Sequence, residues 1–219
     1  KVDWVQFRGP TNLGLYVLPY LSLRKSSQHW VKYAGNWIQK TPPLSYRLQR
    51  WWLDENIQNS KVTINGVWGK QKPHLISFEN PCLTDSEYNE ATKIATNKNY
   101  NKKLNLCFVG RIDENNGIHI FLDAISLLNN TGWIGDIICV GEGPDILKYQ
   151  EEARKIAGLK IKFTGGIPRQ ALAEVYERSH LFILPSSCSE GFPKVIAESA
   201  SYGCIPIVSN ISCINQYIN

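Results

Sequence analysis

Short apolar runs alternate along this chain with stretches of helical spacing, and polar turns rich in Gly and Pro separate them. In the first third, strands are predicted over residues 2–7, 29–34 and 61–66. Helical patterns lie between them, at 13–25, where Pro19 is expected to interrupt the helix, and at 43–58. Strands that alternate with helices predict a parallel sheet, because parallel neighbours need a crossover connection.

A polar stretch then interrupts the alternation. Residues 84–103, TDSEYNEATKIATNKNYNKK, contain almost no large apolar side chains. Boundaries between domains fall in polar segments of this kind, which few contacts cross. The pattern therefore predicts a first α/β domain over residues 1–81, a linker over 82–103 and a second domain over 104–219.

The second domain shows the alternation more clearly, with shorter and more apolar strands. Strands are predicted over residues 104–110, 136–141, 159–165, 180–185 and 204–210. Helices are predicted over residues 117–129, 144–158 and 168–179, and from Pro193 onward. Five strands and four helices in strict alternation predict a doubly wound parallel α/β domain of Rossmann type.

Ligands bind at the carboxyl ends of the strands in such sheets, so the turns that follow the strands belong together. These turns read GRIDENNG, GEGPD, TGGIPRQ and PSSCSEGF, and each is rich in Gly, Ser or charge. Arg111 opens the first turn, and its planar guanidinium suits phosphate oxygens. A surface ion pair is the alternative interpretation of Arg111.

Residues 186–203, SSCSEGFPKVIAESASYG, join the strand HLFILP to a helix that Pro193 can begin. The first N–H groups of a helix lack partners and attract an anion such as a diphosphate. Glu190 precedes this helix and Glu198 lies within it. Each carboxylate can accept hydrogen bonds from the adjacent hydroxyls of a sugar or a ribose. A solvated loop glutamate and a helix glutamate on a polar face are the alternative.

With the strand before it and YGCIPIVSN after it, this stretch resembles the donor-binding motif of GT-B glycosyltransferases, specifically the retaining family four, glycosyl transferases group 1. The resemblance implies two Rossmann-type sheets facing a cleft, with the N-terminal one incomplete and on the acceptor side. It implies that Glu190 contacts the transferred sugar and Glu198 the ribose diol. Backbone amides would face the sugar and diphosphate at Gly191, Phe192, Lys194 and Val195.

The first turn resembles the same family's G-R-x(n)-K-G phosphate-binding turn. Gly110, Arg111 and Gly117 match it, and Asn116 stands where the family has lysine, which removes one positive charge from the expected site. The resemblance also places backbone groups of Gly166 and Ile167 against the nucleotide base, whereas a plain tight turn is the alternative there. The family's catalytic-site histidine is not assigned to His29, because His29 begins its predicted strand.

Composition limits the other functional classes. The net charge is +5 and the basic residues are scattered, which gives no strong indication of nucleic-acid binding. No complete GxGxxG or P-loop occurs, and no DxD, HExxH or His/Cys cluster indicates a metal, so we expect no cofactor and no metal. Six cysteines without a CxxC pair, and no apolar run near ~18 residues, favour a cytoplasmic protein. Packing on the sheet is the first explanation for the tryptophans of the 43–58 helix, and a peripheral contact with the inner face of a membrane stays open.

The resemblance implies a retaining hexosyltransferase that moves a sugar from a nucleotide-diphosphate sugar to a hydroxyl acceptor. Polysaccharide, lipopolysaccharide or glycolipid synthesis is the expected context, with a saccharide or glycolipid as acceptor. Arg111 and Glu190 are the predicted catalytic residues, acting through electrostatics and orientation. An inactive nucleotide-sugar-binding module remains an alternative, and a glycoside hydrolase a weaker one. The chain begins with Lys1 and contains no methionine, so we expect a fragment of a longer protein.

Overall fold

The computed structural model describes residues 3–24, 28–188 and 190–218. The chain forms two compact units. Unit one comprises Lys1–Asn80, Ser189–Phe192 and Asn210–Asn219, and unit two comprises Pro81–Cys188 and Pro193–Ser209. These units group residues by their contacts, and the domain division at residues 81 and 103 stays a prediction.

Unit one contains a four-stranded parallel sheet in the order β1-β2-β3-β4. Its strands are β1 (Trp4–Gly9), β2 (Gln28–Tyr33), β3 (Val62–Ile64) and β4 (Leu75–Ser77), and its helices are α1 (Gly14–Leu23) and α2 (Leu44–Asp54). Part of the predicted first strand, Val2, lies outside the described residues. The expected interruption at Pro19 is wrong, because the helix continues through it. A proline there removes one N–H from the helix without ending it.

The core of unit one lies between the sheet and these two helices. Val31 of β2 and Ile64 of β3 are buried together with Leu18 of α1 and Leu53 of α2. Alternate residues of a strand face the same side, so both helices cover one face of the sheet. Of the two neighbouring tryptophans in α2, Trp52 packs against this core, whereas Trp51 remains 52% exposed. The packing explanation therefore holds for only one of them.

The segment interpreted as a linker contains a helix, α3 (Asp85–Thr96), within unit two. Thr84 caps it: the Thr84 hydroxyl accepts from the Glu87 N–H at 3.3 Å, and the Glu87 carboxylate accepts from the Thr84 N–H at 2.6 Å. Downstream, Lys98 Nζ donates to the carbonyls of Tyr176 and Ser179 at 2.8 and 2.6 Å. Capping and this lysine fix a segment whose composition alone indicates a loop.

Unit two contains a five-stranded parallel sheet in the order β7-β6-β5-β8-β9, which confirms the predicted doubly wound α/β architecture. Its strands are β5 (Leu104–Val109), β6 (Ile134–Val140), β7 (Ile161–Phe163), β8 (Leu181–Leu184) and β9 (Ile205–Val208). Its further helices are α4 (Ile118–Ser126), α5 (Ile146–Arg154), α6 (Arg169–Arg178) and α7 (Lys194–Ser201). Phe108 of β5 stacks on Phe121 of α4 in the core, with ring centroids 6.0 Å apart.

Three features bear on the binding of metals, cofactors or membranes: the cysteines, the grouping of possible metal ligands and the character of the helices. All six cysteines are free thiols. Within the described ranges, no three His, Cys, Asp or Glu side chains are grouped so as to hold a metal ion. None of the helices over those ranges has the length and apolar character that crossing a bilayer requires.

Candidate functional site

The order of strands in unit two defines where a ligand is expected. From β5 the chain proceeds to β6 and β7 on one side, whereas β8 and β9 lie on the other side of β5. The strand order therefore reverses between β5 and β8. In open α/β sheets, ligands bind at this switch point, beyond the carboxyl ends of the strands. The turns that begin at Gly110 and Pro185 flank it.

Backbone hydrogen bonds hold the turns at this edge to one another. The Ile112 N–H donates to the Glu142 carbonyl at 2.8 Å, which joins the turns after β5 and β6. The Gly141 N–H donates to the Gly165 carbonyl at 2.9 Å, which joins the turns after β6 and β7. The structure thus brings together three of the four turns that the sequence pattern selects.

The fourth turn is joined to the first. The Ser187 N–H donates to the Asn115 carbonyl at 2.8 Å. Gly117 lies beside this contact with φ +79°, and a Cβ there would lie 2.1 Å from the Pro185 carbonyl oxygen. Only glycine fits such a position, because both the backbone angle and the space exclude a side chain. The Gly110 N–H, in the same turn, donates to the Val140 carbonyl at 3.0 Å.

Arg111 and Asn116 converge on one carboxylate, that of Asp113. Arg111 Nε lies 3.1 Å from Asp113 Oδ2, and the Arg111 side chain is 68% exposed. Asp113 Oδ1 accepts from both the backbone N–H and the side-chain Nδ2 of Asn116, each at 2.9 Å. The surface ion pair given as the alternative for Arg111 is therefore present, while its phosphate role stays a prediction. The position of the family's lysine holds a neutral amide bound to the same acid. Sequence reasoning missed Asp113, although an Asp three residues before Asn116 matches the spacing of a helix cap.

Gly166 and Ile167 form the turn after β7, as predicted. A Cβ on Gly166 would lie 3.1 Å from Glu142 Oε1, and the preceding Gly165 has φ +71°. Ile167 lines one end of a cavity of about 510 Å³ bounded by residues of β5, β6, β7 and α6. The turn is therefore tight, and its role toward a base stays a prediction.

Helix α7 begins at Lys194, with Pro193 at its N-cap position. The Ile196 N–H donates to the Pro193 carbonyl at 3.2 Å. By their position in the first turn, the N–H groups of Lys194 and Val195 have no partner inside the helix. The two predicted amides in unit two are thus at the end of α7 where an anion is stabilised.

Glu198 lies one turn further along α7 and lines a cavity of about 320 Å³ in unit two, with Glu87 and Arg169. Burial raises the pKa of the Glu198 carboxyl, and the charges of Arg169 and Lys194 oppose this shift. The buried Tyr176 hydroxyl interacts electrostatically with Glu198 but has no partner that meets hydrogen-bond geometry. The half-buried Glu198 carboxylate, next to a hydroxyl without a hydrogen-bond partner, can accept hydrogen bonds from the two hydroxyls of a diol.

The raised pKa leads to a stability prediction for Glu198→Gln. A carboxyl with a folded-state pKa above its unfolded value of about 4.3 costs stability when it is ionised, and the cost disappears as the pH falls through the folded pKa. We expect Glu198→Gln to be more stable than the original chain at pH 7, by less than about 1 kcal/mol because the group is half-exposed. Urea unfolding at pH 7 and pH 4 measures the difference, which should shrink at pH 4.

Glu151→Gln, on the exposed side of α5, is the control because it makes the same chemical change without burial. It should leave the unfolding midpoint unchanged. A Glu198→Gln variant less stable than the original chain at pH 7 would contradict the assignment of burial as the dominant cause.

The other predicted carboxylate, Glu190, belongs to unit one and is exposed. Its backbone forms an antiparallel bridge with Gly35, just beyond β2. The Gly191 N–H donates to the Ala34 carbonyl at 3.1 Å, so this predicted donor amide is already engaged within the protein. The main chain therefore fixes the segment while the Glu190 side chain remains available.

Buried polar residues support this segment from below. Asn65, at the end of β3, is 4% exposed, and a Cβ on Gly191 would lie 1.9 Å from its Nδ2. Asn80 Nδ2 donates to Asn65 Oδ1 at 3.0 Å, and Lys32 Nζ donates to Asn80 Oδ1 at 2.7 Å. Sequence reasoning did not find Asn65, because these residues lie in or just after three different strands and form no local motif.

Two further predicted positions lie in unit one. Phe192 packs edge to face against Tyr217, with ring centroids 5.1 Å apart. His29 Nε2 lies 2.9 Å from the Gln58 carbonyl at the start of β2. A structural contact accounts for His29, in agreement with leaving it out of the catalytic set.

Comparisons with known proteins identify the relatives of this chain. The model of a family described as glycosyl transferases group 1 matches residues 103–219, just over half of the chain. No curated protein sequence matches the chain significantly.

Solved structures similar to the chain include TarM of S. aureus, with TM-score 0.69 and 12% identity over 99% of this chain. Sucrose-phosphate synthase from Thermosynechococcus elongatus has a TM-score of 0.67 and 17% identity over 98% of this chain. A UDP-forming alpha,alpha-trehalose-phosphate synthase from Burkholderia xenovorans has a TM-score of 0.66 and 12% identity over 98% of this chain. The chain spans 43%, 57% and 60% of these three structures, respectively. At these identities the similarity establishes a shared GT-B fold.

Proposed function

The chain belongs to the family of glycosyl transferases group 1, and from this we propose that it transfers a hexose from a nucleotide-diphosphate sugar to a hydroxyl acceptor. We further propose retention at the anomeric carbon and a role in polysaccharide, lipopolysaccharide or glycolipid synthesis. One observation supports the donor site above all. The turns of unit two are hydrogen-bonded together at the switch point, where such sheets bind ligands.

Residues predicted for donor binding or catalysis have specific tasks in the proposed reaction. The guanidinium of Arg111 and the first N–H groups of α7 stabilise the charge that develops on the departing diphosphate. Glu198 accepts hydrogen bonds from the ribose hydroxyls, and Glu190 orients the transferred sugar without attacking it. No metal is assigned to the reaction, because these donors supply the positive charge.

Calorimetric titration with UDP, GDP, ADP and CMP tests the donor site. UDP is the first choice, because the synthase from Burkholderia xenovorans is described as UDP-forming. We expect one nucleotide to bind and Glu198→Ala to weaken its binding at least about tenfold, the loss for one or two hydrogen bonds to a charged group. Glu151→Ala, on an exposed helix face, serves as the matched control. If no nucleotide binds, or if Glu198→Ala binds equally well, the assignment fails.

A second candidate function, a nucleotide-sugar-binding module without activity, is favoured by one observation. The neutral amide of Asn116 occupies the position of the family's lysine and is bound to Asp113. Assays of sugar transfer on a chain that binds nucleotide separate the two functions. Binding without transfer to any saccharide or glycolipid acceptor supports the module.

Restoring the lysine is expected to strengthen nucleotide binding. We expect Asn116→Lys to lower the Kd for the nucleoside diphosphate about five- to tenfold, because one charge-assisted hydrogen bond to phosphate adds about 1–1.4 kcal/mol. The gain should shrink as salt is added. Asn129→Lys adds the same charge at an exposed position after α4 and should leave the Kd unchanged. An Asn116→Lys variant with the original Kd would show that the diphosphate lies elsewhere.

A further inference from the structure

Large apolar side chains are exposed along the outer sides of two helices in unit one. Each is between 49% and 82% exposed. On and just before α1 they are Leu13, Tyr16, Tyr20 and Leu23, and on α2 they are Leu44, Leu48 and Trp51. We call these seven residues the α1–α2 surface. Their spacing of three or four residues, or multiples of it, places each set along one side of its helix.

The two sets belong to a single surface. Leu18 of α1 and Leu53 of α2 both enter the core that covers one face of the sheet. The two helices also contact each other. Their sides away from the sheet therefore face the same direction. Soluble proteins seldom expose apolar side chains in contiguous groups of this size unless the surface binds something.

Charge around this surface is mainly positive. The one acidic residue within α2, Asp54 at its C-terminal end, is paired with Lys72 Nζ at 3.0 Å. The lysines and arginines of the chain are scattered, but the acidic residues are not: residues 4–53 contain seven Lys or Arg residues and no Asp or Glu. The chain as a whole carries +5, so the rest of it is net negative. Arg47 is exposed on the same side of α2 as Leu44 and Leu48. The guanidinium of Arg24 lies 5.5 Å from the ring centroid of Tyr20, at the end of α1.

We propose that the α1–α2 surface binds the interface of an anionic lipid bilayer. Tyrosine and tryptophan prefer the headgroup level of a membrane, leucine inserts below it, and arginine pairs with lipid phosphates. A second copy of the chain is a poorer partner, because Arg24 and Arg47 would face the same arginines of the other copy and the like charges would repel. A nucleic acid would match the charge but would leave the leucines without an apolar partner.

Lipid binding adds a partner to the proposed transferase. If the proposed function holds, the surface would bring the protein to acceptors that are themselves anchored in a membrane. The binding does not depend on transfer, however, and lipid and nucleotide titrations distinguish the two. A chain that binds vesicles but no nucleotide would contradict the proposed function alone.

Co-sedimentation with vesicles tests the proposal on the purified chain. We expect binding to vesicles of phosphatidylcholine mixed with phosphatidylglycerol, weaker binding to phosphatidylcholine alone, and loss of the difference at high salt. The double variant Tyr16→Ser/Trp51→Ser should lower the partition constant at least about tenfold through lost apolar burial. Arg24→Glu/Arg47→Glu should lower it at least about twentyfold, as expected for two lost arginine contacts.

Matched controls lie in unit two. Tyr88→Ser/Leu147→Ser removes one aromatic and one aliphatic side chain of similar exposure, and Lys102→Glu/Lys155→Glu reverses two exposed charges. These variants should retain at least half of the original partition constant. No binding to anionic vesicles, or equal losses in the variants and the controls, overturns the proposal. Self-association of the chain, abolished by Tyr16→Ser/Trp51→Ser and without lipid binding, would assign the surface to a second copy instead.

Discussion

Replacing Gly117 with alanine is expected to destabilise unit two by about 3–5 kcal/mol. About 1–2 kcal/mol of this comes from the left-handed backbone, and the rest from a Cβ forced against the Pro185 carbonyl. The φ of +79° and the 2.1 Å separation leave no room for a small adjustment, because the obstructing atom belongs to the backbone. Urea unfolding followed by circular dichroism measures the loss.

Gly158 provides a closely matched control for this substitution. Its φ is +76°, and nothing lies within 4 Å of the position that a Cβ would take. Gly158→Ala should therefore cost only the backbone part, about 1–2 kcal/mol. If both variants lose the same stability, the collision with Pro185 does not contribute, and the packing of the first turn on the fourth is looser than described.

Replacing Glu190 with glutamine is expected to lower kcat about a hundredfold or more, the usual loss when a group that acts on the transferring centre is removed. Its affinity for the nucleotide should change less than about twofold, since the proposed contact is with the sugar. The fold should be unaffected, because only main-chain atoms of Glu190 form the bridge with Gly35. Initial rates with the donor sugar, together with calorimetry of the nucleotide, give both quantities.

Glu151→Gln again serves as the reference, with unchanged kcat. A Glu190→Gln enzyme that keeps full activity would remove Glu190 from the reaction. Loss of nucleotide affinity together with activity would point instead to a disturbed segment, which Gly191 and its contact with Asn65 hold in place.

The alternation of strands and helices could be predicted from the sequence because each element buries one side, and the apolar period differs between the two types. One exception is α3; strand β4 and the uninterrupted helix at Pro19 are two others. The mostly polar residues of α3 favoured a loop, while a signal of only two residues, Thr84 and Glu87, marked the cap that begins it. The polar composition of the whole segment favoured a loop, although the capping pair Thr84 and Glu87 indicates more directly where a helix begins.

The candidate site was only partly predictable for a related reason. Arg111, Asn116 and Glu198 lie in motifs contiguous along the chain, so their neighbourhood could be inferred. Asp113 was missed because its role depends on which side chains point toward it. The support beneath Gly191 comes from residues far away in sequence, and no single-sequence pattern joins them.

Unit one consists of segments that lie far apart in the sequence, and this affects the order in which its contacts form during synthesis. Val67 and the side chain of Gln216, 149 positions apart, exchange two hydrogen bonds, and the Cys213 thiol donates to the Gly191 carbonyl. Residues 210–219, which supply these partners in unit one, are therefore synthesised after residues 81–188 and 193–209 of unit two. Val67 therefore lacks its partner Gln216 while unit two is being synthesised. Contacts of such long sequence separation form slowly, so we expect unit one to gain these contacts late, although most of its residues precede unit two in the sequence.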